Sequence, residues 1–253
     1  MKKLNLRDIR KSKGQKLQML TCYDYQTACL LNETDLDMIL VGDSVGNVVL
    51  GYETTVEVTL EEMIIFGKAV RRGAPDKFLI LDLPFGTYSS IPQGLKSATQ
   101  LFKETRAEAI KLEGAFPYQI QLIERLTQTG VAVMGHIGLT PQSVHQLGGY
   151  YTHGRNHTSA ERLLKEARAL EAAGAFSIVL EMVDEAVAKQ ISQEVSIPTI
   201  GIGAGNDTDG QVLVINDLLR LGPKEPPKFC KPIANIYETK KSLIESYLKN
   251  QRS

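Results

Sequence analysis

Four apolar stretches of this chain each run into a carboxylate: Met38-Ile39-Leu40-Val41-Gly42-Asp43, Phe78-Leu79-Ile80-Leu81-Asp82, Ile110-Lys111-Leu112-Glu113 and Ile178-Val179-Leu180-Glu181. Such a run reads as a strand buried on both faces of a parallel sheet, and parallel α/β folds bind ligands beyond the carboxyl ends of their strands. A single acidic residue there can serve as a helix cap or complement a helix dipole. Four of them point to a metal and a base converging on one site.

Asp43, Asp82 and Glu113 end runs that are consecutive in the chain, and hard oxygen donors of this kind suit Mg2+. Lys111 and Glu113, two apart on a strand, leave the same face, where buried charge needs a partner. That partner is either the other residue of the pair or a bound ion and an anionic ligand. Glu181 then remains free to act as a base, since partial desolvation raises a glutamate toward neutrality and suits it to abstract an acidic C–H proton. His136, after Val131-Ala132-Val133-Met134-Gly135, is expected at a strand end, as a catalytic group or as a hydrogen-bonded core histidine. His153-x-x-x-His157 is a weak zinc signal without cysteine companions. Gly201-Ile202-Gly203-Ala204-Gly205 lacks the last glycine of a dinucleotide fingerprint and reads instead as close packing or ligand approach near a barrel rim.

The elements that must hold these residues alternate. Apolar runs near 18–22, 38–42, 78–81, 109–112, 131–134, 177–180, 198–202 and 211–215 predict eight strands. Helical spacing fills Thr59 to Arg72, Ser97 to Ala107, Tyr118 to Gln128, Ser159 to Ala173 and Asp184 to Glu194. Thr59-Leu60-Glu61-Glu62 and Thr158-Ser159-Ala160-Glu161 read as helix entries, and Gly73, Gly130 and Gly174 as left-handed helix exits. This is an α/β chain whose strand count predicts a (β/α)8 TIM barrel, with a doubly wound open sheet as the other candidate. Gly138 to His157 has no clear period and is expected to be a functional loop. The apolar residues Ile236, Leu243, Ile244 and Leu248 between Asn235 and Lys249 predict a terminal helix docked on the body or on a neighbouring subunit.

With 253 residues, 43% of them hydrophobic, the chain is long enough for a single barrel domain spanning 1–253. Its 29 basic residues balance 29 acidic ones, which argues against a nucleic-acid partner or an anionic membrane surface and for a small-molecule substrate. Cys22, Cys29 and Cys230 have no paired spacing, so a reducing cytoplasm is expected, with Cys22 a core residue. No run is long enough to span a bilayer and no leader pattern opens the chain.

Several segments together resemble one family. They are Thr21-Cys22-Tyr23-Asp24-Tyr25, Leu40-Val41-Gly42-Asp43-Ser44, Val70 to Pro75, Asp82-Leu83-Pro84-Phe85, Lys111-Leu112-Glu113-Gly114, Gly135 to Ser143, Gly148-Gly149-Tyr150, Leu170 to Ala175 and Ile200 to Asn206. In order and density they are similar to the ketopantoate hydroxymethyltransferases. The resemblance implies a (β/α)8 barrel of the phosphoenolpyruvate/pyruvate-utilising type, with one Mg2+ per subunit on Asp43, Asp82 and Glu113. It implies that Asp43, Ser44, Asp82 and Lys111 contact the oxo acid and that Glu181 is the proton acceptor; His136 lies in a family motif as a candidate active-site residue. The implied reaction moves a hydroxymethyl group from 5,10-methylenetetrahydrofolate to 3-methyl-2-oxobutanoate through a Mg-stabilised enolate, forming 2-dehydropantoate for pantothenate synthesis. A homo-oligomer, often a homodecamer, is also implied. Departures are small: Asn156 stands where the family commonly has threonine, Asn216 where it has histidine, and the tail is short. A Mg-dependent lyase or phosphonomutase of the related superfamily, or a barrel without activity, are the alternatives.

Overall fold

The computed structural model describes residues 3–252. Among them eight parallel strands close in sequential order into a barrel: β1 (Leu17–Thr21), β2 (Met38–Val41), β3 (Phe78–Asp82), β4 (Ala109–Lys111), β5 (Ala132–Gly138), β6 (Ser177–Glu181), β7 (Thr199–Ile202) and β8 (Gly210–Leu213). Closure excludes the open doubly wound sheet. The helices are α1 (Leu6–Lys11), α2 (Tyr25–Asn32), α3 (Leu60–Gly73), α4 (Ile91–Thr105), α5 (Pro117–Gln128), α6 (Val144–Leu147), α7 (His157–Ala172), α8 (Glu185–Glu194), α9 (Ile215–Leu218) and α10 (Ile236–Arg252).

By internal packing the chain divides into Met1–Val212 and Leu213–Ser253. In the first unit the barrel interior is filled by Met19, Met38, Leu40, Phe78, Ile80, Ala109, Met134, Val179 and Ile200, with Ile9 of α1 packed into the same cluster. In the second, α10 has no buried side chain, and Leu243, Ile244, Tyr247 and Leu248 stand exposed along it.

Local chemistry explains most element ends. Thr59 caps α3 reciprocally with Glu62, and Asp184 caps α8. The α7 entry differs from the expected Thr158: the cap is Asn156, whose side chain accepts the Ser159 N–H at 2.9 Å, so asparagine serves here in its own right as a cap. Gly130 and Gly174 adopt φ of 92° and 95° as expected for helix exits. Gly73 does not: it is the last residue of α3, and a Cβ there would lie 2.4 Å from the Tyr25 carbonyl oxygen and 2.7 Å from Ala28 Cβ. It is there for close packing of α3 on α2. Helix α4 starts at Ile91, earlier than the expected Ser97, with Pro92 in its first turn where the missing N–H costs nothing. The eighth strand ends at Leu213 because Ile215 already begins α9. Strand β5 extends to Gly138, so His136 sits inside a strand rather than at its end.

Candidate active site

The alternation that fills the barrel also builds the site. Residues at every second position of a strand face one side, and the inward sets Phe78-Ile80, Ala109, Met134 and Val179 continue two residues on as Asp82, Lys111, His136 and Glu181. Glu113 follows Lys111 by the same step, just beyond β4, where Leu112 N–H still bonds the Met134 carbonyl and Gly114 N–H the His136 carbonyl. Asp43 breaks the parity. After β2 the chain turns at once, Val45 N–H bonding the Gly42 carbonyl and Gly46 N–H that of Asp43, which carries Asp43 inward. Gly42 leaves the room: a Cβ there would stand 3.0 Å from Ser44 Oγ and 3.4 Å from Asp82 Oδ2.

Thus Asp43, Ser44, Asp82, Lys111, Glu113, His136 and Glu181 gather at the carboxyl end of the barrel. Asp82 and Lys111 are register partners on β3 and β4, and the Lys111 ammonium donates to Asp82 Oδ1. The second oxygen of Asp82 accepts the Asp43 N–H at 3.2 Å. Lys111 therefore pairs with Asp82, not with Glu113. Ser44 Oγ and the Tyr23 hydroxyl are 2.7 Å apart. His136 stands between two carboxylates, with Nδ1 3.4 Å from Glu113 Oε1 and Nε2 3.4 Å from Glu181 Oε2.

Three residues here had no chemical role in the sequence reading. Gln142 enters from the turn Pro141–Ser143, inside the expected functional loop: its side-chain amide donates to Asp43 Oδ2 and to the Leu83 carbonyl, both at 2.9 Å. Its backbone N–H donates to Glu113 Oε2 at 3.1 Å, and its side-chain oxygen accepts from the Tyr88 hydroxyl at 2.6 Å. Tyr23 and Gln142 lie within family-like segments, but their polar but neutral side chains gave no separate signal; Tyr88 had none. The remaining histidines do not form a pair: His157 is exposed at the start of α7, while His153 is buried in a bridge to Val183 and stacks on Tyr151. In Gly201–Gly205 two glycines serve packing, since a Cβ at Gly205 would meet the Glu185 side chain at 2.3 Å and one at Gly201 the Thr208 hydroxyl at 2.8 Å.

Three of the four strand-end carboxylates, with Lys111 and His136, are almost fully enclosed. Burial, then repulsion from Asp82 and Glu113, pushes the Asp43 carboxyl up to about 8. Burial also raises Asp82, and the adjacent Lys111 only partly offsets it. For Lys111 burial disfavours the charge, yet the Asp82, Glu113 and Asp43 carboxylates outweigh it and hold the ammonium above its ordinary range. Burial and Lys111 likewise oppose a charged His136, but Glu113 and Glu181 carry it up to about 9.

Among the described residues no set of three metal-binding groups is drawn to coordinating distance around one point. Each carboxylate instead holds a protein partner, as above. The donors nevertheless fit a hard divalent cation: Asp43, Asp82 and Glu113 place three buried carboxylates beside one ammonium, and the raised Asp43 marks negative charge that a cation relieves. Both ring nitrogens of His136 are buried without a hydrogen bond, so this part of the site has polar capacity to spare.

The chain is similar to known proteins. A model of the family described as ketopantoate hydroxymethyltransferase matches residues 3–253. The chain is 52% identical over 240 residues to the 3-methyl-2-oxobutanoate hydroxymethyltransferase of Leptospira interrogans, covering 94% of this chain and 91% of that one. It is 48% identical over 248 residues to that of Thermotoga neapolitana, covering 97% and 91%. Among solved structures, 2,3-dimethylmalate lyase, a PEP mutase/isocitrate lyase superfamily member, superposes with a TM-score of 0.65 at 15% identity, covering 98% of this chain and 86% of that one. Phosphonopyruvate hydrolase in complex with oxalate and Mg++ gives 0.63 at 13% identity, covering 99% of both. At such identities these two structures speak for the fold.

Proposed function

Because the chain belongs to the ketopantoate hydroxymethyltransferase family, we propose that its barrel mouth removes a proton from C3 of 3-methyl-2-oxobutanoate and joins that carbon to the one-carbon unit of 5,10-methylenetetrahydrofolate. The observation that carries this reading is His136, 3.4 Å from both Glu113 and Glu181. It sets the free carboxylate of β6 against the charged cluster where an oxo acid would lie.

Asp43, Asp82 and Glu113 would hold Mg2+, one per subunit. When bound, the ion supplies Lewis-acid stabilisation of negative charge on the substrate oxygens. Lys111, fully enclosed and held in its charged form, adds a fixed positive charge beside the developing enolate. Ser44, oriented by Tyr23, and the pair Asp43 and Asp82 line the place of the oxo acid. Glu181 is the only one of the four strand-end carboxylates that is not fully buried: its side chain is 17% exposed, with Oε2 3.4 Å from His136 Nε2. It accepts the C3 proton; the C3 electron pair then forms the new bond to the methylene carbon. Water provides the hydroxyl group, the two bonds from that carbon to the carrier nitrogens break, those nitrogens take up the C3 proton and one proton of the water, and tetrahydrofolate and 2-dehydropantoate leave. His136 holds Glu181 and Glu113 in fixed relation.

The test needs no folate. Full-length protein with Mg2+ in deuterated water should exchange the C3 proton of 3-methyl-2-oxobutanoate, followed by proton NMR. Absence of exchange at saturating oxo acid would overturn the base assignment and the enolate with it.

In assembly, the reading is a cytoplasmic homodecamer. The free thiols of Cys22, Cys29 and Cys230 and the exposed apolar side chains of α10 support it. Light scattering of the purified protein decides the subunit count. No helix among the described residues is long and apolar enough to cross a membrane.

A further inference from the structure

Two buried neutral residues stand behind the carboxylates and have no part in the chemistry proposed above. Tyr88, from the segment between β3 and α4, and Gln142, from the turn Pro141–Ser143, are 7% and 4% exposed. The Gln142 side-chain nitrogen has two acceptors, Asp43 Oδ2 and the Leu83 carbonyl, both at 2.9 Å, so the amide can point only one way. Its oxygen then faces the Tyr88 hydroxyl, which donates to it at 2.6 Å. The turn is closed by the Ser143 N–H on the Thr140 carbonyl at 2.8 Å, and it brings the Gln142 N–H to Glu113 Oε2 at 3.1 Å. Asp43 and Glu113 thus each have one oxygen held by Gln142. Asp43 Oδ1 and Glu113 Oε1 accept no hydrogen bond from the described residues; His136 Nδ1 stands 3.4 Å from the latter without one.

We propose that Gln142, locked by Tyr88, selects the cation: it restricts Asp43 and Glu113 to one coordinating oxygen each and so favours Mg2+ over Ca2+. The proposal rests on the metal role given above to Asp43, Asp82 and Glu113 and adds the residues that choose the ion. Mg2+ demands a near-octahedral shell at about 2.0–2.1 Å, keeps several waters and is satisfied by single carboxylate oxygens. Ca2+ takes roughly six to eight oxygens at about 2.3–2.6 Å and commonly draws both oxygens of one carboxylate. Carboxylates that each offer a single oxygen therefore suit the smaller ion. For Ca2+ to chelate through both oxygens of Asp43, the bond from the Gln142 amide must break, and the hold of Leu83 and Tyr88 on that amide resists it. A neutral donor is suited to this task, because it occupies a carboxylate oxygen without placing a second positive charge beside the cation.

The probes are MgCl2 and CaCl2, each titrated calorimetrically into chelator-stripped full-length protein without substrate. Wild-type protein should bind Mg2+ more tightly. Gln142→Met keeps the length of the side chain and the backbone N–H but removes the amide, and it should lower the preference for Mg2+ over Ca2+ by roughly tenfold. Tyr88→Phe removes only the hydroxyl that fixes the amide and should lower the preference by about threefold. It is the milder lesion and carries the test alone if circular dichroism shows Gln142→Met unfolded. A brace that serves stability only would weaken both ions alike, so an affinity ratio within about twofold of wild type in the folded variants overturns the proposal. Wild-type protein that binds the two ions equally, or prefers Ca2+, overturns it as well and leaves the carboxylate site standing. Wild-type protein that binds neither ion overturns the metal site and the proposal together.

Discussion

Gln142 donates its side-chain amide to Asp43 Oδ2 at 2.9 Å, a bond between residues 99 positions apart in the chain. The same residue presents its N–H to Glu113. One neutral residue thereby braces two of the three carboxylates proposed for the metal, Asp43 through its side chain and Glu113 through its backbone. Gln142→Ala should leave Asp43 and the Tyr88 hydroxyl without these partners and cost about 2–4 kcal/mol in metal-free protein. Urea denaturation measures it, and a loss below about 0.5 kcal/mol would show that the brace contributes no net stability.

Glu181→Gln keeps the shape of the side chain and removes its proton affinity. Exchange at C3 of the oxo acid should fall by at least about a hundredfold, whereas calorimetric affinity for the oxo acid with Mg2+ should change little. Undiminished exchange would take Glu181 out of the base role.

Mg2+ at about 100 times its dissociation constant should stabilise the wild-type protein by about 2.7 kcal/mol, since it binds the folded chain. Asp43→Asn and Asp82→Asn should abolish most of that gain. In metal-free protein Asp43→Asn should instead be tolerated, because burial and repulsion from Asp82 and Glu113 push the Asp43 carboxyl up to about 8 and leave it largely neutral at pH 7 already. Thermal melts with Mg2+ and with chelator separate the cases; an equal Mg2+ shift in all three proteins refutes the metal assignment.

Gly138 pairs with Glu181 across β5 and β6 and has φ of 98°. A Cβ there would lie 2.2 Å from the Glu181 carbonyl oxygen. Gly138→Ala should cost about 2–4 kcal/mol and displace the proposed base. Gly130 has a similar φ of 92° with nothing near its missing Cβ, so Gly130→Ala should cost only about 1 kcal/mol. Paired denaturation curves check the contrast, and equal costs would mean that backbone strain alone governs both sites.

At the opposite end of the barrel, Asp209 accepts from Gly14 N, Lys13 Nζ and Thr199 N, each at 2.8 Å. Burial works against its ionisation, but these donors outweigh it and hold the carboxyl below its ordinary 3.8. A carboxyl depressed in the folded state adds stability above its unfolded value and loses it as the pH falls through the folded one. Wild-type stability should therefore decline on the acid side of about pH 4, and Asp209→Asn should flatten that limb. An acid limb identical in the two proteins would show that Asp209 does not contribute to it.

Several of these relations were visible in the chain before folding. Apolar runs of strand length, each closed by Asp or Glu, specify a parallel sheet and put charge at its carboxyl edge, because period-two alternation carries straight from core residue to site residue. Asp82, Lys111, His136 and Glu181 follow Phe78-Ile80, Ala109, Met134 and Val179 in that way. The capping of α3 by Thr59 and the left-handed exits at Gly130 and Gly174 were equally local, hence readable.

Other features depend on distance in space. Whether Lys111 pairs with Glu113 or Asp82 depends on register between β3 and β4, which no spacing within one strand reveals. Gly73 looked like a helix exit, and its packing against Tyr25 and Ala28 exists only once two helices meet. Gln142 carries no charge and sits in an aperiodic loop, so only the folded loop brings its amide to Asp43. The sequence by itself determined which strand groups face inward, Asp43 after the β2 turn excepted, since that follows from backbone periodicity. Only the tertiary structure decided which of them touch, since hydrogen bonds and ion pairs reach about 3 Å and depend on closure of the barrel.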